Sequence, residues 1–250
     1  MKKRLDKIKS KIEIDKKVTV YELSKTFNVT EETIRRDLEK LELEGFLTRT
    51  FGGAIFNNQS QKENMSFYTR ASINIEEKRK IASLFYNMIE NKKTIAADSS
   101  TTVMEAIKAI KNINGLTILS SSTEIFRELL GSKINIISIG GTFNEKTLSL
   151  QGNLAKENIK RYYMDIALIS CKGLDINKGV MDSNEGDAEI KMEMIKQASE
   201  VILLADNTKF NKKALVQFLD LNKVNYIITD KKPDDEWIDF CRDANINLIY

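Results

Sequence analysis

The sequence predicts an α/β chain of two unequal parts: a short helical N-terminal domain that ends in a glycine-turn hairpin, and a larger domain built on a mainly parallel sheet. Three observations predict it. Strand-sized apolar runs stand at 94–97, 116–120, 134–139, 165–170, 201–205, 226–229 and 246–249, and most of the intervals are helical, notably 76–89, 101–111, 123–130, 185–198 and 234–244. Continuous apolar strands alternating with helices describe a sheet covered on both faces. Before residue 57 the periodicity is helical and short, and residues 57–74 are polar and nearly aperiodic. This divides the chain into domains at 1–56 and 75–250 with a linker over 57–74.

In the first domain Leu5, Ile8 and Ile12 recur at helical spacing and predict a first helix. Thr19 followed by Glu22 fits a capping box, which opens a second helix with Leu23 and Phe27 facing inward. Asn28-Val29-Thr30 is a tight break. Thr30 then caps a third helix, Glu31 and Glu32 complement its dipole, and Ile34, Leu38 and Leu41 form its buried stripe. Gly45 is placed to end that helix in the left-handed conformation. Phe46–Thr50 and Ala54–Phe56 flank Gly52-Gly53 as a strand pair, a wing.

Composition narrows the function. The chain is 42% hydrophobic and 30% charged, enough to bury a core. No apolar run approaches the roughly 18 residues a membrane helix needs, and the charges after Met1-Lys2-Lys3-Arg4 deny it an export signal. A cytoplasmic protein is the expectation. Cys171 and Cys241 are far apart, so a disulfide scaffold and a zinc site are both disfavoured and two reduced, buried thiols are expected. The chain has no histidine, which removes the commonest general base and metal ligand. No cofactor is called for. The net charge of +3 lies wholly in residues 1–56, which hold 13 basic and 10 acidic residues. That suits an anionic partner for the first segment, although a solvated lysine-rich face would look the same.

Two short helices joined by a three-residue break, the second basic opposite its buried stripe, form a helix-turn-helix pattern. Thr33, Arg35, Arg36 and Lys40 are then available on the outer face. Arginine can read guanine with two bonds in the major groove. Arg49 in the wing and the Lys2/Lys3/Arg4 cluster could sit on phosphates. The alternative is that Arg35 and Arg36 pair with Glu31, Glu32 or Glu39 on a solvated face.

The second domain carries a candidate anion pocket. The run Thr94–Ala97 leads into Asp98-Ser99-Ser100-Thr101-Thr102 and then a helix, so hydroxyls, free amides and a helix dipole converge. Ser120-Ser121-Ser122, Gly140-Gly141 and Cys171-Lys172-Gly173 also follow strands, and ligands of open parallel sheets sit at strand carboxyl ends. Glu185 could accept hydroxyls and Lys209 could neutralise a phosphate. Each piece has a plainer reading: serine-rich loops cap helices, glycine pairs make turns, and single lysines are solvated.

Val29–Leu38 closely resembles the recognition helix of DeoR/GlpR-family regulators of sugar metabolism, and Gly45–Ala54 is similar to that family's wing, with Phe51 where histidine is usual. The resemblance extends over nearly the whole chain. It implies a winged helix-turn-helix in which Thr33, Arg35 and Arg36 face the operator. It also implies a sensor domain that shares its fold with sugar-phosphate isomerases and binds phosphorylated sugars. The family's Asp-x-Gly-Thr-Thr loop matches Asp98–Thr102 with Ser100 for glycine, its Thr-Asn-Ser matches Ser120–Ser122, its glycine pair is Gly140-Gly141, and its Asp-x-Ser-Lys-Phe is Asp206–Phe210. The expected function is a regulator, a repressor, of a sugar-utilisation operon. Its partners would be operator DNA and a phosphorylated sugar, and it would act as a homodimer or homotetramer. Two other readings stay open: an isomerase-like enzyme using Glu185 or Asp182 as base with Lys209 beside it, and a winged helix used for protein contact.

Overall fold

The computed structural model describes residues 2–43, 46–56, 67–89 and 93–250. The chain divides into two compact units, Met1–Asn74 and Ile75–Tyr250. Gly45 and residues 57–66 lie outside the described residues, as do the side chains of Lys2 and Lys3.

In the first unit, α1 (Lys2–Asp15), β1 (Lys17–Thr19), α2 (Val20–Phe27) and α3 (Glu31–Leu43) precede the wing strands β2 (Leu47–Thr50) and β3 (Gly53–Phe56). The capping box forms as a reciprocal pair: the Glu22 amide donates to Thr19 Oγ1 and the Thr19 amide to Glu22 Oε2, both at 3.1 Å. Asn28 stops α2 at φ 50°, a left-handed conformation that asparagine tolerates. Ile8, Ile12, Leu23, Ile34, Leu38 and Leu41 are fully buried in one core, each worth about 1.5–3 kcal/mol of apolar burial. β1 joins the wing, giving an antiparallel sheet of order β1-β3-β2. The stretch expected as linker also differs from expectation. Residues Phe67–Ser72 form α4, with Phe67 buried and the Tyr68 ring edge-on to it at 5.8 Å.

The second unit opens with α5 (Ile75–Tyr86) and is organised by seven strands: β4 (Thr94–Ala97), β5 (Thr117–Ser120), β6 (Asn135–Ser138), β9 (Met164–Ser170), β12 (Ala198–Leu204), β14 (Tyr226–Ile228) and β15 (Asn247–Ile249). They form one sheet of order β15-β14-β12-β9-β4-β5-β6, and every pairing in it is parallel. These are the seven apolar runs of the sequence. Helices α6 (Thr101–Ile110), α7 (Thr123–Glu128), α8 (Asn153–Ile159), α9 (Glu185–Lys196) and α10 (Asp235–Asp243) fall between them. Short strands make two further sheets: the hairpin β7 (Thr142–Asn144)–β8 (Ser149–Gln151), and an antiparallel group ordered β10 (Gly173–Asp175), β11 (Gly179–Asp182), β13 (Val216–Leu219). No helix among the described residues is long and apolar enough to cross a membrane.

The order contains a switch point. From β4 the chain moves outward to β5 and β6, and from the adjacent β9 it moves the other way to β12, β14 and β15. Loops leaving β4 and β9 therefore diverge, and in open parallel sheets the crevice at the carboxyl ends of two such strands is where ligands bind.

Candidate functional site

On α3, Arg35, Arg36 and Lys40 are exposed and Thr33 is half-buried, while Arg49 is exposed on β2. The arginines carry local ion pairs: Arg35 to Glu31 at 2.8 Å and Arg36 to Glu32 at 3.5 Å. Such exposed i,i+4 pairs contribute about 0.3–0.5 kcal/mol, which a phosphate or base edge can replace. Arg4 is a correction. Expected with Lys2 and Lys3 on phosphates, it instead holds the buried Asp37 through two bonds, Nε to Oδ2 at 2.7 Å and Nη2 to Oδ1 at 3.1 Å. Asp37 lies on the inward side of α3 beside Leu38, so its carboxylate needs a paired cation, and α1 provides it.

In the second unit the expected residues fall on adjacent strands in spatial order: Lys209 after β12, Lys172 after β9, Asp98–Thr102 after β4, Ser120-Ser121 at the end of β5 and Gly140-Gly141 after β6. At about 4.8 Å between strands, the first and last stand about 19 Å apart, more than one small ligand spans. The glycine pair has its own steric reason. Gly141 sits at φ +107°, and a Cβ there would lie 2.4 Å from the Gln151 carbonyl oxygen. Glu185 is exposed in the first turn of α9.

Some hydroxyls are committed to structure. Ser100 caps α6, accepting the Val103 amide at 3.2 Å, and Ser122 caps α7, accepting the Ile125 amide at 3.3 Å. Ser120 donates to the Ala97 carbonyl at 2.7 Å. Ser99, Thr101, Thr102 and Ser121 are nearly buried, and among the described residues no protein partner is seen for their hydroxyls. Asp98 organises the crevice: Oδ1 accepts the Ser100 amide at 2.8 Å, and Oδ2 accepts the Ser170 amide at 2.9 Å, joining the loops of β4 and β9.

The centre of this network is Lys191, which no motif singled out. Its ammonium is 2.5 Å from Asp182 Oδ2 and 3.1 Å from Asp98 Oδ2, and donates to the Ser170 carbonyl at 2.7 Å. All three side chains are almost fully buried. Burial pushes the Asp182 carboxyl up, but Lys191, aided by Lys172, holds it below the ordinary carboxylate range. The sequence does carry a signal. Lys191 falls on the buried stripe of α9 with Ala188, Ile190 and Met194, where a lysine requires a partner. Both cysteines are buried and free, and burial pushes the Cys171 thiol up to about 12 and the Cys241 thiol up to about 11. An open groove of about 380 Å³ between α5 and α6, lined by Arg79, Tyr86, Glu105 and Lys108 among others, contains none of the expected effector residues.

The comparisons with known proteins match both units. The family model of the DeoR-like helix-turn-helix domain covers residues 4–60 and that of the DeoR C terminal sensor domain covers residues 73–231. The chain belongs to the DeoR family. It is a DNA-binding transcriptional regulator with a sensor domain. Among DeoR-family relatives, it is 36% identical to the HTH-type transcriptional regulator YulB of Bacillus subtilis over 98% of this chain and 95% of that protein. It is 31% identical to the L-fucose operon activator of Haemophilus influenzae over 93% of each. Among solved structures, ribose 5-phosphate isomerase A of Methanocaldococcus jannaschii overlays 56% of each chain at 16% identity with a TM-score of 0.43. α3 and the wing fall within the helix-turn-helix match, and the ends of β4 and β9 fall within the sensor-domain match.

Proposed function

We propose that this DeoR-family regulator controls a sugar-utilisation operon and that a phosphorylated sugar, bound at the carboxyl ends of β4, β5, β9 and β12, alters its affinity for operator DNA. The observation that carries this reading is the group of nearly buried hydroxyl residues Ser99, Thr101, Thr102 and Ser121, with no partner seen among the described residues, gathered at the switch point and the head of α6. Phosphate oxygens accept from such hydroxyls and from helix N-terminal amides. Lys172 and Lys209, half-buried on the neighbouring loops, supply charge, and Asp98 and Lys191 shape the crevice from beneath.

Arg35, Arg36, Lys40 and Arg49 contact the operator in this reading, with Thr33 beside them. A single short helix reads few base pairs, so a homodimer or homotetramer presents paired readers. Repression is the proposed default sign, because a protein seated on a promoter blocks it without a dedicated contact to the polymerase. A relative's name as an activator makes a promoter–reporter assay the measurement of sign. The protein acts where its operator is, in the cytoplasm. The ligand is bound without turnover: Asp182 is locked to Lys191 and held as a weak base, and Glu185 stands exposed in the first turn of α9.

The test is a thermal-shift screen of phosphorylated sugars followed by operator titrations with each hit. Lys209→Ala should weaken the ligand response and leave ligand-free DNA binding intact, and Arg36→Ala should do the reverse. Typical couplings are about 1–3 kcal/mol, roughly 5- to 150-fold in affinity. Operator affinity unmoved by every saturating hit would refute the coupling, and sugar isomerisation followed by NMR and abolished by Glu185→Gln would establish an enzyme.

A further inference from the structure

Two carboxylates at the ends of neighbouring strands grip one short turn. Asp206 follows β12 and Asp230 follows β14, and both are almost fully buried. The 3-10 turn Asn207–Lys209 lies between them in the chain's bonding. Asp206 accepts the Thr208 amide at 3.0 Å and also the Thr208 hydroxyl. Asp230 accepts the Asn207 amide at 2.6 Å and the Asn207 side-chain amide at 2.7 Å. Behind the turn, the Phe210 ring packs edge-on against the buried Trp237 at 4.9 Å. The backbone of the turn is thus fixed to the sheet. Lys209 is 3.8 Å from Asp206, beyond hydrogen-bond length, so a loose attraction holds it and an arriving anion can compete.

Helix α5 meets both carboxylate residues. Lys80 donates to the Asp230 carbonyl oxygen at 2.5 Å. Lys78, on the same helix, is buried and attracts Asp206. Burial pushes that carboxyl up, while Lys209, the Thr208 bonds and Lys78 together hold it below the ordinary range. α5 is the first element of the second unit, and its first residue follows directly on the last residue of the unit that carries the helix-turn-helix.

We propose that Asp230 and Lys80 are positioning residues that transmit an anion bound on Lys209 to helix α5. The proposal rests on the reading of Lys209 as an effector contact. An anion that draws Lys209 away from Asp206 changes the charge on that carboxylate, on which Lys78 also acts, and fastens the Asn207–Lys209 turn to the ligand. The Asn207–Asp230 clamp carries the shift across to β14, and the Lys80 bond carries it to α5. The change of partner at Lys209 supplies the state-dependent free energy that coupling requires.

Hydrogen–deuterium exchange of the full-length wild type, Lys80→Met and Lys80→Arg tests this, with inorganic phosphate and glucose 6-phosphate as probes. Lys80 lies on the exposed side of α5, so both variants should fold. In the wild type a probe should slow exchange in residues 206–210 and in 75–86. Lys80→Met should keep the first effect and lose the second, and Lys80→Arg should restore both. Slowed exchange in the turn with α5 unchanged in the wild type, or an α5 response undiminished in Lys80→Met, would overturn the relay and leave the Lys209 contact standing. No change in the turn with either probe would overturn the Lys209 contact and the relay together.

Discussion

Lys191 sets its ammonium 3.1 Å from Asp98 Oδ2, so a lysine from the middle of α9 is tied to the loop leaving β4, a partner 93 positions earlier in the chain. The same ammonium bonds Asp182 and the Ser170 carbonyl. One buried cation therefore joins the ends of β4, β9 and β11 beneath the crevice.

Removing that cation should be costly. Lys191→Met leaves two buried carboxylates without their bonded counter-charge, for which about 3–5 kcal/mol is the usual loss. Urea unfolding of the variant measures it; a loss under about 1 kcal/mol would mean that the carboxylates find other partners. Acid should act on the same network. The Asp182 pKa is lowered in the folded protein, so its stabilisation is fully present above the unfolded carboxylate value of about 3.9. It is lost as pH falls through the folded value. The wild type should lose stability below about pH 4, and the Asp182→Asn variant should lose less over that interval.

The exposed arginines of α3 should separate from the fold. Arg35→Ala and Arg36→Ala are expected to leave thermal unfolding of the protein nearly unchanged, since their ion pairs are exposed. Each should weaken operator binding by about 1–3 kcal/mol and relax preference at one base pair. Titrations against operator and scrambled DNA read both effects, and equal losses on the two DNAs would assign the arginines to phosphates instead.

Gly141→Ala should destabilise the sensor unit by about 2–4 kcal/mol, combining a positive φ with a steric clash. The added Cβ would meet the Gln151 carbonyl at 2.4 Å and the Ala155 Cβ at 2.9 Å. Gly115→Ala is the control: its φ is +80° but nothing lies within 4 Å of the added carbon, so only the conformational cost of about 1 kcal/mol remains. Denaturation midpoints of the two variants should differ accordingly.

Light scattering of the purified protein at micromolar concentration should give a mass that is an even multiple of the 28.6 kDa chain. A strict monomer, both free and on operator DNA, would remove the paired-reader argument.

The sequence by itself determined the elements whose signals are local. All seven strands of the parallel sheet stand out as apolar runs, because β4, β5 and β9 at its centre are buried on both faces and even the partly exposed edge strands β6 and β15 keep apolar residues packed on it. The helices of the first unit stand out by period and by caps such as Thr19–Glu22, whose partners lie three residues apart. The loops that would receive a ligand followed from these strands, since a parallel sheet puts every strand's carboxyl end on one edge. Tertiary structure alone decided what depends on distant partners. β1, β7, β10 and β13 are as short as some of these but lie in no continuous apolar run, and their pairing defines them. Arg4 looked like a free cation until Asp37, 33 residues away, came within 2.7 Å. The serines of the crevice looked alike in sequence. Folding divided them into caps, as at Ser100 and Ser122, and hydroxyls with no partner seen among the described residues, as at Ser99 and Ser121, because hydrogen bonds are assigned by distance and direction. Lys191 is the sharpest case: a lysine is ordinarily a surface residue, and the tertiary convergence of Asp98, Asp182 and the Ser170 carbonyl stabilises its charge inside the protein.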